Sequence, residues 1–153
     1  MKPVSSYTEG VPTLVIAEDN PFVAAILREA VEEERGYEIC GIASSTAELL
    51  SLGGHHRPSL AIIDVRLADG SDGINAAIEL SRLIPVAIFF ATGHPQQVLA
   101  PPAPVGEACL AKPFTGPELI KALEIVEHIA TMGKLPVQVP PKVHLIRRSA
   151  HNV

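Results

Sequence analysis

The sequence predicts a three-layer α/β sandwich built on one parallel sheet. Three observations lead there. Short apolar runs alternate with helix-period stretches five times along the chain, and repeated β-α alternation gives a parallel sheet with right-handed crossovers. One run, Leu60-Ala-Ile-Ile-Asp-Val-Arg66, is apolar from Leu60 to Val65 apart from Asp64, as expected of a strand covered on both faces. Several runs also stop at polar residues, Glu18-Asp19, Asp64, Thr92 and Lys112, and a parallel sheet gathers such strand ends on one rim.

A chain of 153 residues suits one domain and can bury a core without disulfides. Twelve basic against seventeen acidic residues leave a net charge of −5, which disfavours non-specific nucleic-acid binding. Aromatics are few and Trp is absent, so a base-stacking surface is not expected. The longest apolar run, Leu83 to Ala91, is too short to span a bilayer and contains Pro85. The first ten residues have no apolar signal core. The expectation is a soluble, cytoplasmic protein that binds neither membrane nor nucleic acid.

Residues 1–12 are expected to form a polar tail. Thr13-Leu-Val-Ile-Ala17 is the first strand. Asn20 then caps a helix with Pro21 at its first position. That helix carries Val23, Ile26, Leu27, Ala30 and Val31 on one stripe, its tail Glu32-Glu-Glu-Arg35 is a solvated face, and Gly36 ends it. Tyr37 to Ala43 is the second strand. Ser44 or Ser45 caps a short helix from Thr46 to Leu52, closed by Gly53-Gly54, with His55-His56 in the following loop. Leu60 to Arg66 is the third strand. Asp72 or Gly73 opens a helix with Ile74, Ala77, Ile78, Leu80 and Leu83 inward, and Pro85 marks its end.

Val86 to Ala91 is the fourth strand, ending at Thr92-Gly93. Four prolines in the stretch from His94 to Gly106 argue against more than one turn of helix. Glu107 to Ala111 is the fifth strand, ending at Lys112-Pro113. Thr115 caps a last helix to about Ala130, with Leu119, Leu123 and Val126 inward, and Gly133 closes it. The domain is therefore expected over residues 13–131, with a C-terminal extension over 132–153. Five βα units with a degenerate fourth helix make the fold flavodoxin-like, with strand order 2-1-3-4-5. In that order Cys40 and Cys109 fall on opposite edges, roughly 19 Å apart at about 4.8 Å per strand. A disulfide needs Cα atoms within about 7 Å, so none is expected.

The rim carries the chemistry. A lone strand-end Asp often does no more than cap a turn, and Thr92 or Lys112 alone would mean little. Four such signals in this order are a different matter. Clustered carboxylates repel one another unless a cation joins them, and hard oxygen ligands suit Mg²⁺. A carboxylate needs no deprotonation at neutral pH to act as a nucleophile, and aspartyl phosphates are known covalent intermediates. Asp64 is thus a candidate phosphoryl acceptor. Lys112 would place a point charge on the phosphoryl oxygens and Thr92 a hydroxyl.

The set Glu18-Asp19, Asp64, Thr92 and Lys112-Pro113-Phe114 resembles the receiver domain of two-component response regulators, over about Thr13 to Ala130. The resemblance implies that Asp64 takes a phosphoryl group from a sensor histidine kinase. It implies Mg²⁺ held by Asp19, Asp64 and the backbone carbonyl of Arg66, with Glu18 acting through water. Thr92 and Lys112 would then sense the phosphoryl group. Receivers usually carry Tyr or Phe three residues before the lysine as a switch; here Cys109 stands there, so an aromatic switch at that position is ruled out. The string Phe89-Phe-Ala-Thr-Gly93 resembles a subfamily of single-domain receivers with a Phe-Ala-Thr-Gly motif, which work with kinases of the HWE or a related type. Gly93 and Cys109 mark the expected switch region, between Gly93 and Glu107.

No output domain is visible after Ala130, so the chain is expected to act through a downstream protein partner or as a phosphate sink, and not as a turnover enzyme. Three other readings compete. An aspartyl-phosphate phosphotransferase or phosphatase of the haloacid-dehalogenase type would carry an Asp two residues after the nucleophile, where this chain has Arg66. A flavodoxin would cradle a phosphate in its first loop, where Glu18-Asp19 would repel it. A receiver-like adaptor would act without phosphorylation.

Overall fold

The structure, a computed structural model, describes residues 12–99, 105–133 and 138–146. Its centre is a six-stranded sheet in the order β2-β1-β3-β4-β5-β6. The strands are β1 (Thr13–Ala17), β2 (Glu38–Ala43), β3 (Leu60–Ile63), β4 (Ala87–Thr92), β5 (Ala108–Ala111) and β6 (Val143–Leu145). The first five pair in parallel in the expected order. The sixth pairs antiparallel with β5, so Cys109 lies inside the sheet and not on its edge; both cysteines are free, as expected.

Alternation along each strand sorts side chains to two faces. Leu14, Ile16, Leu60, Ile62, Phe89 and Leu110 pack with α1 (Pro21–Glu29) and α5 (Gly116–Met132). Val15, Ala61, Ile63, Ile88, Phe90 and Cys109 pack with α2 (Thr46–His56), α3 (Gly73–Leu83) and α4 (Pro95–Leu99). Caps fix where the helices begin. Asn20 Oδ1 accepts from the N–H groups of Phe22 and Val23, Ser45 caps α2, Asp72 caps α3, and Thr115 with Glu118 forms a capping box on α5.

The structure departs from the sequence reading at five places. First, α2 runs through Gly53-Gly54 to His56 and stops at Arg57, which takes the left-handed conformation with φ 50°. Gly53 stays helical because Leu80 of α3 packs onto it: a Cβ there would lie 2.5 Å from Leu80 Cδ1. The exposed His55 and His56 are therefore helical residues, not loop residues. Second, α1 widens into a π turn over Ala30–Glu34, and Arg35, expected in solvent, pairs with Glu127 of α5. Tyr37 Oη donates to that same carboxylate at 2.5 Å. Third and fourth, Ile26 and Leu83 remain half exposed. Fifth, residues 138–146 were not expected to join the sheet, yet they supply β6.

Candidate functional site

Strand register sets the rim level. Ala17 pairs with Ile63, Ile63 with Phe90, and Thr92 with Ala111. Glu18, Asp64 and Lys112 each follow the last residue of β1, β3 and β5, and Thr92 ends β4. The ladder continues one step past the strands: Glu18 N–H donates to Ala43 O at 2.9 Å, Asp64 N–H to Ala17 O at 2.9 Å, and Lys112 N–H to Thr92 O at 2.9 Å. The backbones of these residues are thus held as firmly as the sheet.

Lys112 Nζ donates to Asp64 Oδ2 at 2.8 Å and to Glu18 Oε1 at 2.9 Å. Glu18 is only 3 % exposed, and its other oxygen accepts from Asn20 N–H at 3.1 Å. Burial pushes the Glu18 carboxyl up from its ordinary value, against the lowering pull of Lys112 and the Asn20 N–H. Burial also opposes the charged form of Lys112, but hydrogen bonds and charges from Asp64 and Glu18 outweigh it and raise the ammonium. Asp19 is exposed at the mouth, and one carboxylate oxygen from each of Glu18, Asp19 and Asp64 falls within 4.8 Å of the others. An all-oxygen set with one open, exposed member fits Mg²⁺, which keeps several of its waters.

Beyond Asp64 the chain makes a tight excursion. Arg66 bridges Asp72 in an isolated antiparallel pair, Leu67 N–H donates to Ser71 O at 3.1 Å, and Gly73 N–H to Val65 O at 2.6 Å. Gly73 is buried against the Asp64 backbone: a Cβ there would collide with the Asp64 carbonyl. This close approach, and not an unusual φ, is what calls for glycine. The sequence marks Gly73 only as a helix start; its role in fixing Asp64 needs the three-dimensional contact.

The expected residues are thus distributed unevenly. Glu18, Asp19, Asp64 and Lys112 converge. Thr92 is fully buried beside them, and its Oγ1 accepts from His94 N–H at 3.1 Å. The Arg66 side chain is exposed, as is Gly93. Cys109 is buried in the core three residues before Lys112, and burial, reinforced by the charge of Asp64, pushes its thiol up to about 12.

The family model described as the response regulator receiver domain matches residues 14–124. The chain belongs to the response regulator receiver family. The receiver is 34% identical over 102 residues to the phyllosphere-induced regulator PhyR of Methylorubrum extorquens, covering 66% of this chain and 38% of that protein. It is 36% identical over 126 residues to the transcriptional regulatory protein PdtaR of Mycobacterium tuberculosis, covering 80% of this chain and 60% of that one. The chain therefore spans less than two thirds of these curated relatives. Among solved structures, the receiver domain of Erythrobacter litoralis PhyR superposes with a TM-score of 0.74 at 25% identity, covering 86% of this chain and 99% of that one. Among the described residues no helix is long and apolar enough to cross a membrane.

Proposed function

We propose that this receiver accepts a phosphoryl group on Asp64 from a sensor histidine kinase and passes the signal on by protein contact. In the transfer the P–N bond of the donor phosphohistidine breaks, a bond forms from phosphorus to an Asp64 carboxylate oxygen, and the imidazole leaves. The observation that carries this reading is the Lys112 ammonium held between Asp64 and Glu18, with Asp19 at the open side. Asp19 and Asp64, with the Arg66 carbonyl, would hold Mg²⁺ directly, and Glu18 through water. When bound there, Mg²⁺ would neutralise charge on the transferring group. Lys112 orients and steadies the phosphoryl oxygens. Thr92 reaches them by giving up the bond from His94 N–H.

The bond from His94 N–H to Thr92 Oγ1 supports a switch in the segment beginning at Gly93. His94 heads the five-residue α4, which the sequence expected to be no more than one turn, and Cys109 leaves no aromatic ring to rotate. Residues 100–104 of the expected switch lie outside the described residues. Phe89-Phe-Ala-Thr-Gly93 supports a donor of the HWE type. The names of the relatives, a phyllosphere-induced regulator and a transcriptional regulatory protein, support a regulatory output.

Phosphoramidate with Mg²⁺ tests the acceptor without needing the cognate kinase. Intact mass should rise by one phosphoryl group in the wild type and not in Asp64→Asn. Equal labelling of the two would overturn the assignment. Adding each phosphorylated kinase from the same genome would then identify the donor.

A further inference from the structure

β6 is not required by the βα repeat, and three separate contacts hold it. Along the backbone, Ala111 N–H donates to Lys142 O at 3.0 Å and Ile146 N–H to Glu107 O at 3.1 Å, on either side of the paired residues. Its side chains straddle the edge: Val143 joins the core under α5, and Ile146 joins the opposite core with Phe90, Cys109 and Val98. Gly106 makes room for it. With φ 101°, a Cβ on Gly106 would stand 3.0 Å from Ile146 Cδ1 and 2.9 Å from Phe90 Cε2. The third contact is Lys142, whose Nζ donates to Pro113 O at 2.9 Å and to Glu118 Oε1 at 3.3 Å.

Pro113 follows Lys112. One dipeptide therefore touches Asp64 through the lysine side chain and the added strand through the proline carbonyl. A second route runs through the core, because Phe90 lies two residues before Thr92 and packs in the cluster that holds Ile146 and Val98 of α4. The strand itself is short. Few buried side chains must offset the ordering of the whole segment, so its local stability is low compared with that of the parallel sheet.

We propose that residues 138–146 form a latch over the β5 edge whose closure is coupled to the Asp64 site through Lys112 and Pro113. Drawing Lys112 toward a group on Asp64 shifts the Pro113 carbonyl away from Lys142, and the latch opens. The apolar edge Ala108–Ala111 is then uncovered. The trigger rests on the acceptor role of Asp64; the coupling itself does not.

Amide hydrogen exchange on the full chain reads the latch at two N–H groups, Ala111 and Ile146, with the β1 amides as an internal control for global opening. With Mg²⁺ and beryllofluoride, both latch amides should exchange about tenfold faster while the β1 amides, which report global opening, do not quicken. Lys142→Ala should show the fast rate without the mimic and, by reciprocity, bind the mimic more tightly. If the mimic binds and the two amides do not respond, the latch is overturned and the acceptor role stands. If the mimic does not bind, the acceptor role fails, and Lys112→Ala decides the coupling: faster exchange at Ala111 and Ile146 relative to β1 supports it, and unchanged exchange overturns it.

Discussion

Lys112 Nζ lies 2.8 Å from Asp64 Oδ2, so in the metal-free protein the lysine is the counter-ion of the acidic cluster. Removing it leaves the carboxylates of Glu18 and Asp64 close together without a cation. Lys112→Ala should therefore cost about 1–3 kcal/mol in the absence of divalent metal. Millimolar Mg²⁺ should restore part of that loss and stabilise the variant more than the wild type. Urea unfolding of both proteins with and without Mg²⁺ measures the difference; equal stabilisation by the metal would show that the lysine does not substitute for it.

Asp19 is exposed at the mouth of the cluster. Asp19→Ala should leave folding stability within about 0.5 kcal/mol of the wild type, yet weaken Mg²⁺ binding by about tenfold or more. A titration followed by proton chemical shifts separates the two effects. An unchanged binding curve would remove Asp19 from the metal site.

Gly73→Ala tests the backbone beneath Asp64. The added methyl must displace the Asp64 carbonyl or the Val65 turn, and strain of this kind costs about 1–3 kcal/mol. Phosphoramidate labelling should slow by more than the stability loss accounts for, because Asp64, the proposed nucleophile, has moved. Labelling at the wild-type rate in the folded variant would show that the contact has no part in positioning.

Cys109 gives the clearest pH dependence. Its thiol is raised from 9.0 to about 12, first by burial and then by Asp64. Below pH 9 both folded and unfolded states carry the proton. As pH rises from 9 toward 12 the unfolded state ionises and the folded state does not, so stability falls across that window. Cys109→Ala should lose less stability than the wild type over the same range in thermal melts. At pH 8 a maleimide should label native protein at Cys40, which is only partly buried, and reach Cys109 after unfolding.

The sequence displays the five parallel strands and the four polar rim positions because both depend on local pattern: apolar runs, caps, and the residue at which each run stops. It did not display what depends on packing across the sheet. Gly53 looks like a helix terminator, but it is the point where α2 meets Leu80. Arg35 looks solvated until Glu127 is brought beside it. Ile26 fits the apolar stripe, yet it stays half exposed. β6 was hidden for a different reason: three residues beside Pro140 and Pro141 carry too little alternation to register as a strand, and only the vacant β5 edge makes them one. Gly73 was visible as a helix start, whereas its contact with Asp64 appears only once the loop closes.

The rim residues come from positions 18, 64, 92 and 112, and the strands that carry them are interleaved across the sheet. No fragment shorter than residues 18–112 contains the whole cluster, so the cluster exists only when the domain is folded from β1 to β5. Any ion or phosphoryl mimic that needs all four residues therefore binds the native state alone. Its binding free energy adds directly to global stability and slows the openings that require the central strands to part. Occupancy of the site should then be readable far from it, as a higher melting temperature and a longer lifetime against proteolysis for the whole domain.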